Sequence, residues 1–242
     1  MDWGNASVAH DRERDLHVDA VIFDLDGTLV DTLEDLADAV NRVLRDRGLP
    51  THDYDAYRYM IGGGMRQLMA AALPDEPHTE ATVASCLEQM LAHYREHCLD
   101  KTRPYQGVGA LVDGLRARGL RLSVLSNKAD DLARRVVAAL FDPAAFDVVV
   151  GARPDVPLKP DPAGALLMAA RLGVPAGRIA CLGDSGTDML TATRAGMIPL
   201  GAAWGFRTEA ELRESGALLV LSQPGELLAL PMAQPGGSGT LD

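Results

Sequence analysis

Six short apolar runs, at 18–24, 120–125, 146–150, 178–182, 198–203 and 218–221, recur along the chain, and most are separated by helical patterns. A run this short, bounded by turn residues, has the length and composition of a strand buried on both faces. The patterns between them, at 109–118, 130–140, 162–172, 187–195 and 208–214, are long enough for crossover helices. Gly119, Gly173, Gly196 and Gly216 stand where the C-caps of those helices belong. The alternation predicts an α/β chain with a Rossmann-like parallel sheet and helices on both faces.

One stretch breaks the rhythm. Residues 33–102 show helical periodicity and no convincing strand: 33–40 is amphipathic and runs out near Gly48-Leu49-Pro50, and 65–73 and 81–99 are helical too. A small all-helical insert after the first strand would sit as a cap above the carboxyl edge of the sheet, the edge where open α/β sheets bind ligands. The organisation expected is a polar arm at 1–17, a core at 18–32 and 103–230, a cap at 33–102 and a tail at 231–242. The Pro-, Gly- and Ser-rich tail reads as disordered or as a cloning remnant.

Composition narrows the function classes. With 47% hydrophobic and 24% charged residues, the chain buries a real core and is not disordered throughout. Its 23 Lys+Arg against 34 Asp+Glu give a net charge of −11, which argues against nucleic acid and anionic membrane as partners. A single phosphorylated metabolite is not excluded, because a few local cations or a metal can reverse the local field. Cys86, Cys98 and Cys181 are too few and scattered for a disulfide framework, and no apolar stretch approaches the ~20 residues of a membrane helix. The N-terminus has no apolar signal region, so a cytoplasmic protein is expected, monomer or homodimer.

Chemistry gathers at the ends of the strands. In Asp24-Leu25-Asp26-Gly27-Thr28, the carboxylates at i and i+2 point to one side of an extended chain. Such a pair needs a cation or a shared proton, and a divalent metal with oxygen ligands is the natural compensation; a solvated strand-end turn is the plainer alternative. Ser126-Asn127 follows the second run and offers a hydroxyl and an amide to phosphate oxygens. Lys159, stiffened by Pro160 and Pro162, supplies a compact positive charge. Gly183-Asp184-Ser185-Gly186-Thr187-Asp188 adds two carboxylates. Donors, a cation and four carboxylates on one edge form a single candidate site.

The run Val21-Ile22-Phe23-Asp24-Leu25-Asp26-Gly27-Thr28-Leu29-Val30-Asp31-Thr32 resembles the first motif of the haloacid dehalogenase superfamily. Ser126-Asn127, Lys159-Pro160 and Gly183 through Asp188 resemble its second, third and fourth motifs in the same order. The insert, with Ile61-Gly62-Gly63-Gly64, and the later Trp204-Gly205-Phe206-Arg207 are similar to the phosphoglycolate phosphatase-like branch. The resemblance implies a Mg²⁺-dependent phosphatase of a small phosphomonoester, 2-phosphoglycolate as the best guess, working through an aspartyl-phosphate. It implies that Asp24 is the nucleophile and Asp26 the acid and base. The metal would be held by Asp24, the Asp26 carbonyl, Asp184 and Asp188, with Thr28 positioning the first loop and Ser126, Asn127 and Lys159 on the phosphoryl oxygens.

Asp26 and Asp184 set the chain apart from the dehalogenases of that superfamily, which lack the second carboxylate and the metal. The alternatives are a sugar-phosphate mutase of the β-phosphoglucomutase type and a non-catalytic binding protein retaining the fold. Within the cap, Gly63 and Arg66 are candidates for the substrate's far end, Arg66 as the partner of a carboxylate; a solvated helix position is the plainer reading of it. His93-Tyr94-Arg95-Glu96-His97 matches the H-x-x-E-H pattern of a zinc-protease class. It has no identified third ligand, and Cys86, two turns back, is the nearest candidate.

Overall fold

In a computed structural model, which describes residues 17–74 and 79–230, the first strand β1 (Ala20–Phe23) is wholly buried. Its side chains alternate between two layers, as the pleat requires. Val21 and Phe23 join Leu122, Val124 and Leu182 on one side, and Ala20 and Ile22 join Met168 and Met197 on the other. A two-residue strand, β2 (Val30–Asp31), leads into four helices: α1 (Leu33–Asp46), α2 (Tyr54–Met60), α3 (Met65–Ala72) and α4 (Glu80–His97). The chain returns through β3 (Arg103–Pro104), which pairs antiparallel with β2 and closes the insert into a loop with adjacent ends.

Alternation then resumes: α5 (Val108–Ala117), β4 (Arg121–Ala129), α6 (Asp130–Leu140), β5 (Val148–Ala152), α7 (Ala163–Leu172), β6 (Ile179–Gly183), α8 (Gly186–Arg194), β7 (Ile198–Ala202), α9 (Glu209–Glu214), β8 (Leu219–Leu221) and α10 (Gly225–Ala229). The main sheet runs β5-β4-β1-β6-β7-β8, and every neighbouring pair is parallel. The expected α/β fold with a parallel sheet is therefore the observed one. Gly119, Gly173, Gly196 and Gly216 all have positive φ, the backbone that ends a helix.

Three features were not expected. The helix α2 lies where no helix was anticipated; of its seven residues only Tyr57 is buried, so its sequence carries almost no amphipathic signal. The β2–β3 ribbon joins segments more than seventy residues apart, and local pattern cannot reveal that pairing. The strand β4 runs on to Ala129, beyond the expected end at 125, so Ser126 and Asn127 belong to the strand itself. The arm expected at 1–17 falls outside the described residues except for His17, and the tail at 231–242 falls wholly outside them.

Chain order makes β1 the turning point of the sheet, because the chain fills β4 and β5 on one side before crossing to β6 on the other. The crevice beyond the carboxyl ends of β4, β1 and β6 is where such a sheet exposes backbone and polar side chains to a ligand. Register sharpens this: Phe23 lies opposite both Val124 and Leu182. The residues that follow, Asp24, Ser126 and Asp184, thus emerge at nearly one level.

Candidate active site

Asp24, Asp184 and Asp188 arrive from the ends of β1 and β6 and from the first turn of α8, and each offers an oxygen within 4.8 Å of the others. Lys159 sits among them, its Nζ 2.8 Å from Asp24 Oδ1 and 2.6 Å from Asp188 Oδ1. One ammonium does not neutralise three buried carboxylates. Burial raises Asp24 to about 7 despite the opposing pull of Lys159. Burial, together with the charges of Asp24 and Asp188, also raises Asp184 well above the ordinary carboxylate range. An all-oxygen set with excess negative charge is what a hard divalent cation such as Mg²⁺ takes, so these residues fit one.

Local sequence explains how the carboxylates are held. Ser185 and Asp188 form a capping box at the start of α8, the Ser185 side chain facing the Asp188 N–H and the Asp188 carboxylate accepting from the Ser185 N–H, and the Ser185 hydroxyl also donates to Asp188 Oδ2. Asp184 accepts from the Phe206 N–H at 2.7 Å and from the Thr28 hydroxyl at 3.3 Å. This grip needs two glycines. A Cβ on Gly27, whose φ is +85°, or on Gly205 would overlap the Asp184 side chain. Trp204 closes the same loop by donating its indole N–H to the Thr28 carbonyl at 3.0 Å.

The second and third motif positions are tied to each other and to the helical insert. Asn127 accepts from the Lys159 N–H at 2.8 Å and donates its Nδ2 to the carbonyls of Lys159 and of Gly62. Ser126 is buried beside it, its Oγ accepting from the Lys128 N–H. The cleft between insert and core has a volume of about 30 Å³, lined by Asp24, Asp26, Ser126, Lys128, Gly62 and Arg207 among others. That is room for about one or two waters, so the insert is closed over the site.

Asp26 is placed differently from its neighbour. Its carboxylate does not join the group of three; it pairs with Lys128 Nζ at 2.8 Å. That ammonium is wholly buried and also donates to the Tyr94 hydroxyl of α4 at 2.8 Å. Burial alone would lower Lys128, but Asp26 and Tyr94 hold it above its ordinary value. Neither Lys128 nor Tyr94 was singled out from sequence as a polar partner. The signal was there: a lysine directly following Ser126-Asn127, inside an apolar strand, has to find a carboxylate.

Gly63 and Arg66 do not reach the cleft. Arg66 is half exposed and pairs with Glu80 across the insert, and Gly63 is filled against by the Gln67 side chain. The physical reason is the entry of α3, which turns its first residue, Met65, toward the cleft and Arg66 away. The histidine pair stays on the outer face of α4: the rings of His93 and His97 lie 4.3 Å apart, His97 bonds Asp100, and Cys86 is buried in the core. Among the described residues, Asp24, Asp184 and Asp188 form the only three-ligand group of His, Cys, Asp or Glu.

Comparison with known proteins places this geometry in context. A family model described as haloacid dehalogenase-like hydrolase matches residues 21–202. A phosphoglycolate phosphatase of Rhodospirillum rubrum is 38% identical, over 90% of this chain and 93% of its own length. One of Aquifex aeolicus is 31% identical over 87% and 95%. A solved structure from Lactobacillus delbrueckii subsp. bulgaricus superposes with a TM-score of 0.82 at 28% identity, covering 90% of this chain and 99% of that one.

Proposed function

The chain belongs to the haloacid dehalogenase-like hydrolase family, and from that premise we propose that it is a Mg²⁺-dependent phosphatase of a small phosphomonoester, 2-phosphoglycolate first among candidates. The observation that carries this reading is the meeting of Asp24, Asp184 and Asp188 around Lys159 at the closed mouth of the sheet. The names borne by the relatives supply the substrate.

Asp24, Asp184, Asp188 and the Asp26 carbonyl would hold the cation, which when bound supplies charge neutralisation for the phosphoryl group. Asp24 attacks phosphorus with a carboxylate oxygen, forming the aspartyl-phosphate as the phosphorus–alkoxide bond breaks. Asp26, which rests as the ion-pair partner of Lys128, would have to take up a proton as substrate binds; it would then hand that proton to the departing alkoxide and later take one from the water that attacks the same phosphorus. Water's oxygen leaves as part of inorganic phosphate, and Asp24 regains its carboxylate. Lys159 and the Ser126 hydroxyl face the transferring oxygens, and Asn127 orients Lys159 while tying the Gly62 loop down. The closed cleft keeps bulk water from the intermediate.

A phosphate-release assay on a panel of small phosphomonoesters tests this. Release is expected to vanish in Asp24→Asn and in EDTA and to return with Mg²⁺. Isomerisation of a sugar phosphate without release would replace the reading by a mutase. Turnover of no ester, or turnover surviving Asp24→Asn, would overturn it.

A further inference from the structure

Phosphoryl-end groups account for most of the charged side chains in the cleft, but not for Arg207. Among the described residues, the one other cation lining the cleft is Lys128, which lies between Asp26 and Tyr94; Lys159, beneath it, lies between Asp24 and Asp188. Arg66, the residue expected to meet the substrate's far end, points out to Glu80. Arg207 is 12% exposed, and its guanidinium is engaged on one side only. Nη2 donates to the carbonyls of Tyr59 and Ile61, the plane lies 5.3 Å from the centre of the Tyr59 ring, and Nε faces Glu211 at 3.5 Å. Nη1 is buried with no hydrogen-bond partner.

A buried N–H donor without an acceptor is rare, and on a charged group it is costly. Here it belongs to a residue lining the cleft, beside the loop Gly62-Gly63-Gly64 of the insert. Its mounting matters as much as its charge. Arg207 directly follows Phe206, whose N–H holds Asp184, and Trp204 of the same loop is fastened to Thr28. The backbone of Arg207 is therefore fixed to the core beside Asp184, while its guanidinium reaches across to the insert carbonyls of Tyr59 and Ile61.

Resting on the phosphatase reading above, we propose that Arg207 is the specificity residue for the substrate's non-reacting end, its Nη1 donating to a carboxylate there. The already acidic cleft makes a cation opposite that carboxylate necessary, and of the cations at the site Arg207 is the one with a buried nitrogen that has no partner at all. Its bonds to Tyr59 and Ile61 would then bring the insert down on the correct substrate.

The test compares kcat/KM for 2-phosphoglycolate and for 2-hydroxyethyl phosphate, a neutral-ended ester of similar size, in wild type, Arg207→Gln and Arg207→Lys. Wild type is expected to prefer the carboxylate, and Arg207→Gln to cut that preference by about tenfold or more, chiefly through KM. Arg207→Lys keeps the charge without the fork and should fall between them; it also carries the test if the glutamine variant misfolds. Arg58→Gln removes a separate bond between insert and core, to the Gly205 carbonyl, and should leave the preference intact. Equal losses on both esters in Arg207→Gln would make Arg207 a latch and overturn the proposal. Calorimetric titration of both esters into Asp24→Asn, with and without Arg207→Gln, decides the matter without turnover. A carboxylate preference lost with Arg207 would support the proposal even if hydrolysis failed, and equal affinities would sink it even if hydrolysis succeeded.

Discussion

Lys128 and Asp26 share an ion pair from which water is nearly excluded, the ammonium fully buried and the carboxylate 11% exposed. Removing one partner of such a pair leaves the other charge uncompensated, at a cost of about 3–5 kcal/mol. Lys128→Met should therefore lower the urea midpoint markedly, whereas Tyr94→Phe, which removes one hydrogen bond to the same ammonium, should cost about 1 kcal/mol. A Lys128→Met protein as stable as wild type would show that the pair is not buried in solution. Asp24 makes a second prediction. Its ordinary value is 3.8 and burial lifts it to about 7, so the folded state holds that proton more tightly than the open chain. The stabilisation this gives is full below about pH 4 and lost as pH rises through about 7, and Asp184 is shifted the same way. A cation relieves the resulting repulsion only when the carboxylates are ionised. The rise in Tm on adding Mg²⁺ to EDTA-treated protein should accordingly be larger at pH 8 than at pH 5; a pH-independent rise would count against the three-carboxylate site.

Among the elements, α1 does more than cover the site. Its Asp35 is 4% exposed and accepts from the N–H of Lys101, the N–H of Thr102 and the Thr102 hydroxyl. The helix that begins the insert thus fastens the segment that ends it, next to the β2–β3 ribbon. Asp35→Ala strands two backbone donors and is expected to cost about 2–4 kcal/mol by urea denaturation, with Asp35→Asn recovering part. The elements also show where local pattern carries information. The helix α6 matches its expected span at both ends, since Leu132, Ala133, Val136 and Val137 mark a clear buried stripe. The other crossover helices and the strands β5 to β8 lie within two residues of expectation. The helix α2 and the ribbon escaped because one has a single buried side chain and the other exists only through a distant partner.

At the scale of the whole molecule, the insert and the core meet over a narrow cleft of about 30 Å³, bridged by Asn127 to Gly62, Arg207 to Tyr59 and Ile61, and Lys128 to Tyr94. Substrate entry must break some of these bonds. Amide hydrogen exchange at residues 59–64 should therefore slow when Mg²⁺ and inorganic phosphate are added together, and equal exchange with and without them would argue against a closing insert. The net charge of −11 takes a narrower meaning in this setting. Asp24, Asp184 and Asp188 are buried or nearly so and form a group that could hold a cation, not a repellent surface.

The order of strands and helices, the position of the insert, and the gathering of Asp24, Ser126, Lys159 and Asp184 at one edge were all legible in the sequence. Each depends on short-range periodicity and on the rule that parallel strands end on the same side. What only the tertiary structure decided was the partner of each charge. Asp26 turns to Lys128 instead of to Asp24, Arg66 leaves the cleft, and Arg207 enters it. Side-chain direction at these positions depends on how the insert packs on the core, and that packing is a long-range property that no local window of residues contains.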